Sequence, residues 1–205
     1  MKKFITFEGG EGSGKTTLIN NLKNYFDEHK IDYICTREPG GVKVCEDIRN
    51  ILKYSTEEID IRAELLLFSA SRAELVKRVI IPNLEDGKIV LCDRFFDSTR
   101  VYQGYANGLD DKDIMSITNF ATQGLVPTVT FFLDIDPEVA FLRKGGRDKG
   151  DRIEERDLAF HQKVREGYLS LAKNEERFCV IDATLPPEKV VECVLEKLRQ
   201  VKIIE

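Results

Sequence analysis

The sequence lacks a hydrophobic run long enough to cross a membrane. A transmembrane helix needs about 20 consecutive apolar residues, whereas runs such as Leu65–Phe68 and Ile89–Cys92 have four. The opening stretch Met1–Glu8 begins with basic residues, as a signal peptide does, but its apolar part is short and Glu8 interrupts it. We therefore expect neither a membrane span nor a signal peptide.

The sequence is also poor in the residues that build metal clusters and disulfide frameworks. Its five cysteines are odd in number and no two have C-x-x-C spacing, which argues against disulfide staples and zinc knuckles. This cysteine usage is typical of a reducing cytoplasm. The two histidines, His29 and His161, are far apart, so neither a histidine metal cluster nor a Ser/His/Asp triad is indicated.

An excess of positive charge is missing as well. Lysine and arginine number 31 against 36 aspartates and glutamates, a net charge of −5, which argues against a protein that coats nucleic acid. The hydrophobic fraction of 42% excludes a disordered chain. A length of 205 residues fits one domain, and we expect residues 1–205 to form it.

Strand-like and helix-like segments alternate along the chain. This alternation predicts an α/β fold with a five-stranded, mostly parallel sheet and helices on both faces. The predicted strands are Lys3–Glu8, Tyr33–Thr36, Lys88–Cys92, Thr128–Leu133 and Phe178–Ile181. The predicted helices include Thr16–Glu28, Val44–Leu52, Ala63–Glu85, Ser98–Tyr105, Asp113–Ala121, Leu158–Ala172 and Pro187–Val201, with a further helix starting at Pro137.

A glycine-rich segment between the first strand and the first helix matches G-x-x-x-x-G-K-[ST]. Glycines let backbone N–H groups surround phosphate oxygens, and the helix N-terminus adds positive charge. Lys15 would reach the outer phosphates, and the Thr16 hydroxyl would ligate Mg²⁺. The alternative is a glycine-rich turn that binds nothing. The expected nucleotide-binding residues are Gly9, Gly10, Glu11, Gly12, Ser13, Gly14, Lys15, Thr16 and Thr17.

This loop indicates binding of a nucleoside triphosphate and does not define the reaction. A GTPase would usually carry an [NT]-K-x-D motif, and neither Asn-Lys nor Thr-Lys occurs in the sequence. An ATPase that drives a motor, or whose nucleotide state controls a protein partner, stays open on the loop alone.

Four further segments carry a family resemblance: Thr36–Gly41, Leu67–Arg72, Asp93–Gly104 and Asp151–Glu154. Together with the loop, the chain resembles the bacterial thymidylate kinases over nearly its whole length. The resemblance implies a three-layer P-loop kinase fold with a mobile lid. It also implies transfer of the γ-phosphoryl group of ATP to dTMP with Mg²⁺, for dTTP synthesis, in a homodimer formed through a helical face.

The resemblance assigns base recognition to five residues. The ring of Phe68 would stack on thymine and Arg72 would donate to a ring carbonyl. Thr99 and Gln103 would face the base, with Tyr102 under the sugar. From the residues alone, Phe68 fits a core position, and Thr99, Tyr102 and Gln103 fit a polar helix surface with one half-buried tyrosine.

The resemblance likewise assigns phosphate and metal contacts. Arg94 would contact the acceptor phosphate and the transferring phosphoryl group, and Asp93 would help hold the Mg²⁺ water shell. Arg49 would bind the acceptor phosphate, and Glu38 and Pro39 would line the acceptor pocket. The alternative for Asp93 and Arg94 is a surface ion pair, which their place at the carboxyl end of a strand disfavours. From the residues alone, Arg49 fits a solvated helix position.

A basic segment at about 143–154 is the candidate lid. The acidic Glu11 in the loop matches family members that carry the catalytic cations in the lid, and Arg147 and Arg152 match those arginines. A solvated charged loop is the alternative. The chain departs from the family at Phe95, where Tyr or His is usual, and at Arg100, whose position is often neutral.

Two alternatives to a dTMP kinase therefore stay open. One is a kinase of the same fold that acts on dUMP, dCMP or a nucleoside. The other is a P-loop ATPase that controls a protein partner. A structural protein with a vestigial loop is disfavoured by the intact Lys15 and Thr16.

Overall fold

The computed structural model describes residues 3–143, 145 and 156–205. Within them, five strands form one sheet in the order β2-β3-β1-β4-β5. All neighbouring strands are parallel, which confirms the predicted sheet. The strands are β1 (Phe4–Glu8), β2 (Tyr33–Arg37), β3 (Ile89–Asp93), β4 (Val129–Asp134) and β5 (Phe178–Asp182).

Helices connect the strands and cover both faces of the sheet. They are α1 (Lys15–Glu28), α2 (Lys43–Tyr54), α3 (Ile61–Leu75), α4 (Ile81–Glu85), α5 (Phe96–Thr99), α6 (Asp111–Thr122), α7 (Pro137–Arg143), α8 (Leu158–Asn174) and α9 (Pro187–Gln200). In the part of the chain that the structure describes, none of them has the length and apolar character that a membrane crossing needs.

The core has two sides because successive side chains of a strand point to opposite faces. On β3, Leu91 packs into a cluster with α1 and α9, whereas Val90 and Cys92 pack into a second cluster on the other face. Burial on both faces explains why the three central strands, β1, β3 and β4, are nearly continuous apolar runs.

The predicted helix Ala63–Glu85 is wrong as a single α-helix, because a π-helical stretch, Val76–Ile80, separates α3 from α4. Pro82 supplies the physical reason. Proline has no N–H and its ring clashes with the carbonyl four residues earlier, so the helix must widen or bend there. The side chain of Asn83 donates to the carbonyl of Val79 at 2.8 Å, which satisfies one of the displaced acceptors.

The predicted helix Ser98–Tyr105 is also divided. It comprises the short α5 and a second π-helical stretch, Arg100–Tyr105. The widened hydrogen bonding continues to its end, where the N–H of Ala106 donates to the carbonyl of Val101 at 2.9 Å.

Every strand ends on a charged residue. Four of the strands predicted from the sequence end one residue early, because strand pairing continues for one further, charged residue. Because the strands are parallel, these terminal charges lie along one edge of the sheet. They are Glu8, Arg37, Asp93, Asp134 and Asp182.

A buried ion network links α5 to the residues that immediately precede β5. Asp97 is fully buried and accepts from both terminal nitrogens of Arg177 at 2.7 Å. Arg177 also donates to Glu175, and Arg100 bonds Glu175 and reaches both carboxylate oxygens of Asp111 at 2.9 Å. Arg100, which departs from the family pattern, is therefore a structural link between helices.

Removal of Arg177 should be costly because it leaves a buried carboxylate uncompensated. We expect Arg177→Met to lower the free energy of unfolding by about 3–5 kcal/mol, measured by urea denaturation. Lys43→Met is the control, since Lys43 pairs with Asp47 on the exposed surface of α2, where such a pair contributes little. Equal stability of the two variants would contradict this assignment.

Candidate nucleotide-binding and acceptor site

The segment Gly9–Thr16, here called the phosphate loop, joins β1 to α1. Gly12 has a φ of +70°, and a Cβ placed there would lie 2.5 Å from the carbonyl oxygen of Ala140. Gly14 has a φ of +90°. These conformations favour glycine, so the loop geometry accounts for its sequence. The Lys15 ammonium donates to the carbonyls of Gly9 and Gly10 at 3.0 Å each.

A cleft opens in front of the phosphate loop, here called the loop cleft. Arginines Arg37, Arg49, Arg94 and Arg143 line it together with Lys15. These five cationic side chains surround the backbone N–H groups at the N-terminus of α1, and together they form a binding site for a polyanion.

The loop cleft also carries oxygen ligands suited to Mg²⁺. Thr16 and Asp93 both line it, and Thr16 and Thr17 are exposed in the first turn of α1. Oδ1 of Asp93 is buried and finds no hydrogen-bond partner among the described residues. Mg²⁺ in nucleotide sites is usually held by one or two protein oxygens plus substrate phosphates, so this donor set fits the ion.

A second pocket, here called the aromatic pocket, adjoins the loop cleft. Glu11, Glu38, Arg49 and Arg94 line both cavities, so the two form one continuous site. The sequence-predicted acceptor residues that line the aromatic pocket are Glu38, Pro39, Arg49, Phe68, Arg72, Arg94, Thr99, Tyr102 and Gln103. Asp93 lies in the loop cleft instead.

Arg72 is held rigidly in the wall of the aromatic pocket. Its Nε and Nη2 both lie 2.8 Å from Oε2 of Glu38, and Nη2 donates to Thr99 Oγ1 at 3.0 Å. The guanidinium carbon lies over the Phe95 ring, 5.6 Å from its centroid, so an aromatic ring without a hydroxyl supports it. Its remaining nitrogen, Nη1, is buried and finds no partner among the described residues. A carbonyl oxygen in the pocket would meet that need.

Burial sets the protonation of Glu38. Desolvation raises the pKa of this carboxyl to about 7, against the lowering effect of Arg72. The pair therefore combines a guanidinium with a carboxylate that ionises near neutral pH.

Phe68 and Gln103 complete the aromatic pocket. Phe68 is half-buried and lines the pocket, so the core position that the residues alone suggested is wrong, whereas its neighbour Leu65 is in the core. Gln103 is buried and donates to Glu64 Oε1 at 2.7 Å, which fixes the orientation of its amide.

Arg94 stands where the two cavities meet. It follows β3 with a left-handed φ of +67°, and its N–H donates to the carbonyl of Phe7 at 2.9 Å. Its guanidinium lies over the Tyr102 ring, 5.3 Å from the centroid. Despite burial, nearby groups including Asp93 and Glu8 raise its pKa, so it is a permanent cation.

A buried group beside Arg94 was missed by the sequence analysis. Glu8, Ser98 and Tyr168 form a hydrogen-bonded cluster against its guanidinium. The only sequence signal for this cluster was a carboxylate at the end of an apolar strand. No local pattern could connect Glu8 with Tyr168, because the two residues are 160 positions apart. Lys53 and His161 also line the aromatic pocket and were not expected there.

Arg147 and Arg152, the predicted lid arginines, lie outside the described residues. Arg143, which precedes them, donates to the carbonyl of Ala183 at 2.7 Å.

Comparison with known proteins gives a consistent result. The sequence profile of a family described as "Thymidylate kinase" matches residues 7–194. The chain belongs to the thymidylate kinase family. A thymidylate kinase from Clostridium novyi (strain NT) is 45% identical over 92% of this chain and 94% of its own length. One from Carboxydothermus hydrogenoformans is 47% identical over 92% of each chain.

A solved structure of a thymidylate kinase agrees with the fold. The enzyme from Ehrlichia chaffeensis superposes with a TM-score of 0.80 at 35% identity and covers 97% of this chain and 98% of its own. The thymidylate kinase fold therefore extends over nearly the whole chain.

The geometry of the phosphate loop yields a matched pair of glycine variants. Gly12→Ala should lower the free energy of unfolding by about 1–3 kcal/mol, because its methyl group meets the Ala140 carbonyl at a positive φ. Gly10→Ala should change it little, since a Cβ there meets nothing within 4 Å. Urea denaturation of both variants tests this, and equal losses would contradict it.

Proposed function

We infer that this chain transfers the γ-phosphoryl group of ATP to dTMP, giving ADP and dTDP. The observation that carries this inference is the adjoining pair of cavities with Arg49 and Arg94 on both walls. The loop cleft has the features of a triphosphate-binding site, and the aromatic pocket has those of a site that binds a flat base. Membership of the thymidylate kinase family supports the same reaction.

On the donor side, we propose that residues 9–17 surround the ATP phosphates. Lys15 would exchange its contacts with Gly9 and Gly10 for the outer phosphates. Thr16 and Asp93 would hold Mg²⁺, either directly or through its water. The ion neutralises charge on the phosphates when it is bound.

On the acceptor side, the pocket fits a pyrimidine base. Nη1 of Arg72 would donate to a ring carbonyl, which satisfies its unmet hydrogen bond. Phe68 would stack on the ring, and Thr99 and Gln103 would face its polar edge. Tyr102 would lie under the sugar, where a 2′-hydroxyl would crowd it.

The chemistry requires charge and positioning and no general base. A phosphate monoester has a second pKa of about 6, so the acceptor oxygen is already anionic at pH 7. Arg94 and Arg49 would bind the acceptor phosphate, with Glu38 and Pro39 behind it. We propose that Arg147 and Arg152 of the lid segment supply further positive charge to the transferring group, as an arginine finger does.

We also propose that residues 1–205 form one domain.

A panel of acceptors tests the function directly. ADP release with ATP and Mg²⁺ should be far faster with dTMP than with dUMP, dCMP, dGMP, AMP, thymidine or no acceptor. Preference for another acceptor would contradict the roles of Phe68, Arg72 and Gln103. ADP release that ignores every acceptor would instead indicate an ATPase that controls a protein partner.

We also propose that the chain forms a homodimer through α2, α3 and α6. These helices pack side by side, and each carries a large apolar side chain in solvent: Ile51 is 50% exposed, Leu66 55% and Phe120 88%. Exposed apolar side chains on adjacent helices favour an interface at this face. A second copy of the chain would cover it with the same side chains around a twofold axis.

A charge in this face should separate the subunits. Leu66→Glu is expected to sediment as a monomer at a concentration where the unmodified chain sediments as a dimer. Leu142→Glu is the control, because Leu142 is 81% exposed on α7, away from the three helices. A monomeric unmodified chain, or an unchanged Leu66→Glu dimer, would contradict the proposal.

We propose the cytoplasm as the place of action. The five cysteines, all within the described residues, are free thiols, as a reducing compartment maintains them.

A further inference from the structure

Glu8 has no role in the function proposed above, although it is fully buried beside Arg94. Its carboxylate accepts hydrogen bonds at both oxygens. Oε1 accepts from the N–H of Phe95 at 2.8 Å. Oε2 accepts from Ser98 Oγ at 2.6 Å and from the Tyr168 hydroxyl at 2.7 Å.

These contacts fix where two hydroxyl protons lie. A hydroxyl has one proton to donate and two lone pairs that accept. Because Ser98 and Tyr168 both direct their protons at Glu8, neither donates to the other across their 2.9 Å separation. Their lone pairs are left for Arg94, whose Nη1 lies 3.2 Å from Ser98 Oγ and 3.5 Å from the Tyr168 oxygen.

We propose that Glu8 is a positioning residue for Arg94. Its carboxylate orients the Ser98 and Tyr168 hydroxyls so that both accept from the Arg94 guanidinium and hold it where the two cavities meet. This inference rests on the role proposed for Arg94 in phosphoryl transfer.

An amide cannot replace this carboxylate. Donors approach both oxygens of Glu8, from Phe95 on one side and from the hydroxyls on the other. In Glu8→Gln, one orientation sets the amide N–H₂ against the Phe95 N–H. The other sets it against the hydroxyls, which must then turn a proton toward Arg94. The second orientation loosens the guanidinium directly, and the first repels the backbone N–H of Phe95, the residue that follows Arg94, although the volume of the side chain is unchanged.

The protonation of Glu8 has a measurable signature. Burial and the nearby Asp97 raise its pKa to about 7, whereas Arg94 and the hydrogen bonds from Ser98 and Tyr168 lower it. Glu38 and Cys92 also interact with this carboxyl electrostatically. A raised pKa means that folding favours the protonated form. The stabilisation is therefore complete below about pH 4.5 and is lost as the pH rises through 7.

Thermal unfolding of Glu8→Gln should show this linkage. The variant has no group to ionise at this position. Its Tm relative to the unmodified chain should therefore rise as the pH increases from 4.5 to 8. A Tm difference that is independent of pH would contradict the buried, titrating carboxylate on which the inference depends.

A double-mutant cycle at pH 8 tests the action through Arg94. Glu8→Gln should lower kcat/KM for dTMP by about 10–100-fold, the effect of a misplaced catalytic group. In an Arg94→Ala background the same change should cost little, since effects that act through one residue are not additive. Tyr168→Phe, which removes one hydroxyl, should reproduce part of the loss. Tyr33→Phe, which removes a surface hydroxyl bonded to Asp27, should not.

The outcomes separate this inference from the proposed function. If the unmodified chain phosphorylates dTMP, and Glu8→Gln lowers kcat/KM by the same factor in the presence and in the absence of Arg94, the positioning role is wrong and the function stands. If the unmodified chain does not phosphorylate dTMP, the function is wrong and the inference falls with it. A loss of kcat/KM that Glu8→Gln causes only when Arg94 is present, together with a weaker acid limb near pH 7 in the kcat/KM profile of the variant, supports the proposal.

Discussion

The parallel pairing of the five strands is the constraint on which the site depends. Parallel strands require a crossover after each strand, so that all of them end at the same edge of the sheet. Each strand ends in a charged residue at that edge. Backbone pairing thus brings Glu8, Arg37 and Asp93 together from distant parts of the sequence, before any side-chain contact is made.

Several charged side chains beside this edge of the sheet are buried, and burial holds them in fixed positions. Arg72 and Glu38 are both almost fully buried, and an ion pair removed from water is seldom a net source of stability. Its benefit is rigidity, because Nε and Nη2 of Arg72 are both fixed by hydrogen-bond partners. The same reasoning applies to Arg94, which packs on Tyr102 and against two hydroxyls.

Much of the fold could be predicted from the sequence, because local patterns determine it. Apolar runs bounded by turns gave the five strands, and the spacing of glycines and Lys15 gave the phosphate loop. The π-helical stretches could not be predicted from apolar periodicity, which is nearly the same for α- and π-helical hydrogen bonding over one turn. Only Pro82 hinted at one of them.

Those parts of the candidate site whose residues lie close together in the sequence could be predicted. Contacts between residues that are distant in the sequence could not. Most of the residues that the family resemblance indicated line the two adjoining cavities. Phe68 shows the limit of periodicity, which cannot distinguish a ring in the core from one in a pocket wall. Glu8, Ser98 and Tyr168 come from three separate elements, and no local pattern connects them.

The contact between Gly12 and α7 has a mechanical consequence. The loop backbone lies so close to the Ala140 carbonyl that there is no room for a methyl group between them. One turn later, Arg143 anchors the same helix to the chain leaving β5. A tilt of α7 would therefore press directly on the loop or pull away from it. Helix α7 thus lies directly against the loop backbone, so that a displacement of one would displace the other without an intervening side chain.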